Sequence, residues 1–179
     1  LNAQDEGLDY MRRNIDAWWP YIEAGAEAIV MTASGCGAMV AEYGHLLARD
    51  PAYAEKAARV SSLMKDISEI VAAEKDRVRS LLKPSPGSHH SSLAFHPPCT
   101  LQHGLKMKGQ VEKLLVELGF NLTRVPDAHL CCGSAGTYSI LQTVLSQRLL
   151  KNKIAALTSG RPAALITANI GCQAHLQTA

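Results

Sequence analysis

The chain shows two hydrophobic patterns, an apolar stripe of helical period and a short continuous apolar run. Apolar residues that recur every three or four positions predict helices. The predicted helices cover 8–24, a segment that begins near Cys36, 51–82, 105–118 and 139–157. Short runs of apolar and β-branched residues predict buried strands. The predicted strands cover 26–33, 93–96, 121–125 and 163–168. Because strands and helices alternate, we predict an α/β fold of parallel sheet units with right-handed βαβ crossovers.

One long helical stripe and the segment after it divide the chain. Over 51–82 the apolar positions are spaced as in a single long amphipathic helix. Residues 83–92 are rich in Pro, Gly and Ser, a composition typical of a linker. We therefore predict a first unit over 1–82, a linker over 83–92 and a second unit over 93–179.

Composition is typical of a globular protein and excludes several classes of function. Of the 179 residues, 47% are hydrophobic and 19% are charged, so a sizeable core can form. The net charge of +2 comes from dispersed side chains, which argues against a nucleic-acid partner. No apolar run is long enough to span a bilayer, and the first residues are too polar for a signal peptide. We therefore expect a cytoplasmic protein.

The cysteines are the candidate chemical groups. There are five, Cys36, Cys99, Cys131, Cys132 and Cys172. An odd number of cysteines without a secretory signal argues against a disulfide framework. A disulfide between two adjacent cysteines would require a strained ring, so such a pair more naturally binds a metal together. Purely structural thiols are the alternative.

The predicted topology brings four of these cysteines to one place. Cys99, the pair Cys131 and Cys132, and Cys172 follow three successive strands of the second unit. In a parallel sheet the carboxyl ends of the strands share one edge, where ligands bind. We therefore predict a metal site at that edge, formed by these four cysteines.

Two glycines follow the cysteine pair. Gly133 and Gly136 would let the backbone approach a bound cofactor closely, and we predict them as cofactor-binding residues. The segment also precedes a predicted helix, whose free N–H groups and dipole favour thiolate over thiol.

An internal repeat predicts two related units. Residues 28–30 match 164–166, and 35–36 match 171–172, so Cys36 is the counterpart of Cys172. In this alignment the counterpart of the cysteine pair would precede Leu1. We therefore expect the first of two pseudo-repeated units to be truncated and the chain to be a C-terminal excerpt of a longer protein.

At this point the motifs resemble a known family. A cysteine, a long interval, Cys-Cys-Gly, another long interval and a further cysteine resemble the cysteine-rich CCG domain. That domain occurs twice in the B subunit of heterodisulfide reductase and in related oxidoreductase subunits. Several short motifs resemble motifs in the iron-sulfur subunits of bacterial glycolate oxidases. These motifs are 14–20 (NIDAWWP), 32–37 (TASGCG), 42–44 (EYG), 129–138 (HLCCGSAGTY) and 167–173 (TANIGCQ).

The resemblance implies a function and its partners. Subunits of this family carry iron-sulfur clusters and pass electrons from FAD-binding subunits, which oxidise glycolate to glyoxylate, to a respiratory electron acceptor. The chain itself would then hold a cluster, with 4Fe-4S as the expected type, and no catalytic residue. A ferredoxin-like domain normally precedes the repeats in such subunits. A position at the inner face of the bacterial membrane is compatible with this role.

The sequence departs from the family pattern at the last ligand position. Where the fullest pattern ends in Cys-x-x-Cys, this chain has His175 in the second unit and Met39 in the first. The candidate metal ligands are therefore Cys99, Cys131, Cys132, Cys172, His175 and Cys36. A smaller cluster or a zinc ion is an alternative occupant, because soft thiolates bind both iron and zinc.

Other readings of the same residues stay open. His96 and His129 flank the cysteines, where they either donate hydrogen bonds to cluster sulfurs or serve as structural residues. The iron-sulfur component of lactate oxidation or of heterodisulfide reductase is the nearest alternative function. A zinc-stabilised interaction module and an enzyme with a nucleophilic cysteine are two more.

Overall fold

The first half of the chain forms mainly helices around a small parallel sheet. The computed structural model describes residues 3–82 and 92–179. The elements of the first half are α1 (Gln4–Glu23), β1 (Ile29–Met31), α2 (Ser34–Ala41), α3 (Tyr43–Leu46), α4 (Ala54–Leu63), β2 (Met64–Asp66), α5 (Ile67–Ala73) and α6 (Lys75–Leu81). The strands β1 and β2 pair in parallel, from Ile29 opposite Met64 to Met31 opposite Asp66.

The second half forms a larger parallel sheet with helices between its strands. Its elements are β3 (Ser92–His96), a π-helix (Thr100–Gly104), α7 (Gln110–Glu117), β4 (Asn121–Leu122), α8 (Tyr138–Leu141), α9 (Thr143–Thr158), β5 (Ala164–Thr167) and α10 (Ile170–Leu176). The sheet has the order β4-β3-β5, and both pairings are parallel. The predicted α/β fold with parallel sheets is therefore confirmed.

The prediction of a single long helix over 51–82 is wrong. The structure has three helices there, with the short strand β2 between α4 and α5. The interruption has a local cause, since Asp66 begins a new helix with a capping box. Its side chain accepts a hydrogen bond from the Ser68 N–H, while Glu69 accepts one from the Asp66 N–H. The sequence Asp-x-x-Glu was a visible signal for this helix start.

Other predicted elements are shorter than expected. The helix predicted over 105–118 begins only at Gln110, because Lys106 and Gly109 adopt positive φ angles of 57° and 77° that interrupt a helix. The helix predicted over 139–157 is divided at Gln142 into α8 and α9. The strand predicted over 121–125 ends at Leu122, shortly before Pro126, which cannot donate a ladder hydrogen bond.

Part of the domain prediction lies outside the described residues. The linker was predicted over 83–92, and residues 83–91 of it are not described. Ser92 already belongs to β3. The division into two units and the pseudo-repeat stay predictions. Among the helices that the described ranges contain, none combines the length and apolar character required to cross a membrane.

Each half has its own hydrophobic cluster, and the halves meet beside the main sheet. One cluster is centred on Ile15 and Val60, which are fully buried, and another on Phe95 and Leu101. The backbone N–H of Ser34 donates to the carbonyl of Ala168 at 3.0 Å, and the Ser34 hydroxyl lies 2.8 Å from that of Thr100. The beginning of α2 therefore borders the carboxyl edge of the β4-β3-β5 sheet.

Candidate metal centre

Four cysteines lie beyond the carboxyl ends of the strands in the second half. Cys99 comes after β3 and immediately precedes the π-helix, and Cys172 lies in the first turn of α10, after β5. Cys131 and Cys132 occupy the loop between β4 and α8. Cys132 and Cys172 are buried, with 2% and 8% exposure, and the other two are half-buried.

The four thiols form a chain of neighbours. Cys131 interacts with Cys99 and Cys132, and Cys132 interacts in turn with Cys172. The backbone N–H of Gly133 also donates to the Cys131 sulfur at 3.3 Å. The structure thus brings together the four cysteines that were predicted to meet at the carboxyl edge of the sheet, although their ligand role stays a prediction. We call this group, Cys99, Cys131, Cys132 and Cys172, the thiol cluster.

His96 joins the thiol cluster from the end of β3. Its ligand nitrogen and the sulfurs of Cys132 and Cys172 all lie within 4.8 Å of one another. The ring is 1% exposed, and its Nδ1 is hydrogen-bonded to the Thr167 hydroxyl at 2.8 Å. Because that bond occupies Nδ1, Nε2 is the nitrogen available to a metal. From the sequence, His96 was expected only as a neighbour that tunes the centre or as a structural residue.

The thiols differ in how readily they release a proton. Burial and the neighbouring Cys131 raise the pKa of Cys99, and the hydrogen bond with Cys132, together with burial, raises the pKa of Cys131 strongly. For Cys132, the bond with Cys131 lowers the pKa, but the bond with Cys172 and burial leave it raised. The hydrogen bond from Cys132 lowers the pKa of Cys172 despite its burial. Of the four thiols, Cys172 is therefore the one whose ionisation the surroundings favour.

His96 should make the stability of the metal-free protein depend on pH. Burial and, secondarily, the charge of Lys153 lower the pKa of His96 from 6.5 to about 4. Protonation is thus penalised in the folded state, so stability is complete above pH 6.5 and falls as the pH drops toward 4. We expect unfolding by urea to require about 2 kcal/mol less at pH 5 than at pH 7.5.

A histidine replacement isolates this contribution. His96→Gln should remove most of the difference in unfolding free energy between the two pH values. His129 is exposed, so His129→Gln should leave it unchanged. An equal pH dependence in all three proteins would exclude His96 as its source.

His175 has a different partner from the one expected. It is half-buried on α10, and its Nε2 lies 3.2 Å from the hydroxyl of Ser146 on α9. Ser146 donates its only proton to the carbonyl of Gly133 at 2.9 Å, so His175 must donate from Nε2. Its Nδ1 is then the nitrogen with a free lone pair. The potential ligand atoms that lie within 4.8 Å of one another belong to His96, Cys132 and Cys172. A ligand role for His175 stays a prediction.

The segment around the cysteine pair is held by two neighbouring helices. Gly133 has a φ of +96° and is fixed against α9 through Ser146. Ser134 donates to the carbonyl of Gly171 at 3.0 Å, which ties the same segment to α10. Asn169 caps α10 by accepting hydrogen bonds from the N–H groups of Gly171 and Cys172. These contacts set the approach of Cys132 to Cys172.

Three predicted residues lie away from the closest contacts. Cys36 is exposed on α2, where it lines a groove with Trp18 and Met39. Gly136 is exposed, with no atom within 4 Å of an added Cβ, and His129 is exposed in the loop before the cysteine pair. No contact of the described residues assigns a ligand role to Cys36 or a cofactor contact to Gly136, so both stay predictions.

Lys153 is a residue near the site that sequence reasoning missed. It lies on α9 with 1% exposure, and its ammonium donates to the carbonyl of Ala128 at 3.0 Å and to that of Asp127 at 3.5 Å. Burial lowers the pKa of Lys153, while Cys132, Cys131 and Cys172 act in the opposite direction. A lysine in a helix usually belongs to the solvent face, so the sequence contained no signal for this placement.

The donor atoms fit a soft metal centre. Thiolates and imidazole bind zinc and iron-sulfur iron, whereas magnesium and calcium prefer oxygen. The thiol cluster and His96 supply five such donors at one sheet edge, with Cys132 and Cys172 shielded from water. These five residues could hold either a zinc ion or an iron-sulfur cluster.

Comparisons with known proteins agree with this chemistry. Residues 93–177 match the family model described as a cysteine-rich domain, CCG. The chain is 55% identical over 179 residues to the glycolate oxidase iron-sulfur subunit of Escherichia coli K12, covering 100% of this chain and 42% of that protein. It is 29% identical over 170 residues to the "Probable glycolate oxidase iron-sulfur subunit" of Bacillus subtilis, covering 94% of this chain and 37% of that protein.

A more distant relative has a different name. Lactate utilization protein A of Bacillus velezensis is 28% identical over 150 residues, which cover 82% of this chain and 60% of that protein. The chain thus spans about two fifths of the length of the first two relatives. Residues 93–177 are therefore similar to the cysteine-rich CCG domain.

Proposed function

We propose that this chain holds an iron-sulfur cluster and serves an oxidoreductase as an electron-transfer component. The observation that carries the proposal is the thiol cluster, in which four cysteines from three separate loops meet beside the buried His96. The name of the Escherichia coli relative, an iron-sulfur subunit, supports the same occupant. The expected type is 4Fe-4S.

The residues of the centre would bind the cluster and exclude water from it. A bound iron-sulfur cluster accepts and releases single electrons. Cys132 and Cys172 would hold it from the buried side, while the half-buried Cys99 and Cys131 would face the surface. The sequence contains neither a G-x-G-x-x-G motif nor a Walker motif after a strand, and these are the common nucleotide-binding motifs.

The reaction and the partners are proposed from the relatives. We propose that electrons come from FAD-binding subunits that oxidise glycolate to glyoxylate and go on to a respiratory acceptor. A position in the cytoplasm, at the inner face of the membrane, suits this route. The name of the Bacillus velezensis relative makes lactate the alternative source of electrons.

Metal analysis tests the occupant. Protein purified without oxygen should be brown and contain iron and acid-labile sulfide in equal amounts, as in a 4Fe-4S cluster. Colourless protein with zinc and no sulfide would contradict the proposal. Zinc is the second candidate because the ligand atoms of His96, Cys132 and Cys172 lie within 4.8 Å of one another, close enough to share one ion.

Electron transfer in the assembled complex tests the role. With glycolate as the donor, the flavin should be reduced first and the iron-sulfur centre of this chain afterwards. Lactate supplied in place of glycolate distinguishes the two substrate assignments. Glycolate oxidation by the isolated chain, without flavin subunits, would contradict the relay role.

A further inference from the structure

Lys153 places a buried positive charge beside the thiol cluster. The side chain is 1% exposed on α9, a helix that packs against β3. Its ammonium form is favoured by the negative charge of four neighbours, Cys132, Cys131, Cys172 and Asp127. The ammonium donates to the carbonyls of Ala128 and Asp127, which lie in the loop that carries Cys131 and Cys132. The charge of Lys153 is thus held next to the loop of the cysteine pair.

The polar contacts of Lys153 do not neutralise this charge. Two backbone carbonyls, those of Ala128 and Asp127, accept from its three N–H donors. Within the described ranges, no carboxylate forms an ion pair with Lys153. A buried ammonium without a counter-charge is strongly destabilising. The negative groups near it are the thiolates and, with the weakest effect of the four, the Asp127 carboxylate.

The arrangement suits an anionic metal centre. A cluster held by four thiolates carries net negative charge, and adding an electron makes it more negative. A fixed positive charge at close range in a buried site stabilises the reduced state more than the oxidised one. Salt screens such a buried interaction only weakly.

We propose that Lys153 is the charge-compensating residue of the metal centre, which raises the reduction potential of the bound cluster. This inference rests on the proposed function, because it concerns the same site. Lys153 also has a structural contact, since it fixes the carbonyls of Asp127 and Ala128 just before the cysteine pair. Gln102 shares that task, because its side chain donates to the Ala128 carbonyl at 3.2 Å. The test must therefore separate charge from anchoring.

The test compares three variants of the full chain. Lys153→Gln removes the charge and keeps an N–H donor, while Lys153→Arg keeps the charge. Lys151→Gln removes an exposed lysine from the same helix and is the matched control. The midpoint potential of the cluster is measured without oxygen by redox titration followed by electron paramagnetic resonance, at low and high salt.

We expect Lys153→Gln to shift the midpoint potential to more negative values at both salt concentrations. Lys151→Gln and Lys153→Arg should stay close to the original protein. An iron-loaded Lys153→Gln protein with the potential of the Lys151→Gln control would overturn the inference and leave the proposed function intact. An original protein without iron would overturn the proposed function, and the inference with it.

The inference can also be tested if a variant fails to bind the cluster. If Lys153→Gln retains no iron, Lys153→Arg becomes the deciding protein. Iron retention at the original potential in Lys153→Arg would support the need for a positive charge. Loss of iron in both variants would show that the lysine serves packing alone and would overturn the inference.

Discussion

Replacing Cys132 by serine should abolish metal loading while leaving the fold in place. Cys132 is 2% exposed and interacts with both Cys131 and Cys172, so it lies in the middle of the thiol cluster. A hydroxyl is a much poorer ligand for a soft metal than a thiolate, and we expect about a tenfold or greater loss of bound iron. Iron and sulfide analysis measures the loss, and circular dichroism reports the fold.

The same replacement at Cys36 is the matched control. That thiol is exposed on α2, in a groove with Trp18 and Met39. Cys36→Ser should therefore keep the iron content of the second unit. In the assembled complex, Cys132→Ser should permit flavin reduction by glycolate and stop transfer to the external acceptor. Normal acceptor reduction by the Cys132→Ser complex would rule out the relay assignment.

Replacing Gly133 by alanine should destabilise the protein and displace the cysteine pair. Gly133 has a φ of +96°, and an added Cβ would lie 2.5 Å from the Ser146 carbonyl oxygen and 3.2 Å from the Leu149 Cβ. Backbone strain and overpacking together should lower the free energy of unfolding by about 3 kcal/mol or more. Urea denaturation measures this loss, and reduced iron content should accompany it.

Gly136 provides the control for backbone strain alone. It also has a positive φ, +51°, but no atom lies within 4 Å of an added Cβ. Gly136→Ala should therefore cost only about 1 kcal/mol, the usual penalty for a left-handed alanine. Equal destabilisation by the two replacements would mean that contact with α9 does not constrain the cysteine pair. A loss of iron in Gly136→Ala alone would support its predicted role near the cofactor.

Local sequence patterns predicted the presence of helices and strands better than the residues at which they begin and end. The short apolar runs located β3 and β5 to within a residue, because a buried parallel strand needs an apolar segment. The apolar stripe over 51–82 led to the wrong prediction of a single helix, since apolar spacing alone does not reveal a short strand between two helices. The capping box at Asp66 and Glu69 was the local feature that marked the break.

The sequence by itself determined which cysteines meet. Cys99, Cys131, Cys132 and Cys172 follow successive parallel strands, and parallel strands place their carboxyl ends at one edge. The common edge thus follows from local pattern and chain connectivity, without any knowledge of side-chain packing.

Only the tertiary structure decided which other side chains accompany them. His96 reaches Cys132 and Cys172 because β3 is the central strand and pairs with β5, so that Thr167 orients its ring. Lys153 reaches the same place because α9 packs against β3 with that side chain inward. A histidine at a strand end and a lysine in a helix have no local pattern that distinguishes these positions from exposed ones. Their roles depend on contacts between elements far apart in sequence, which helix and strand periods do not encode.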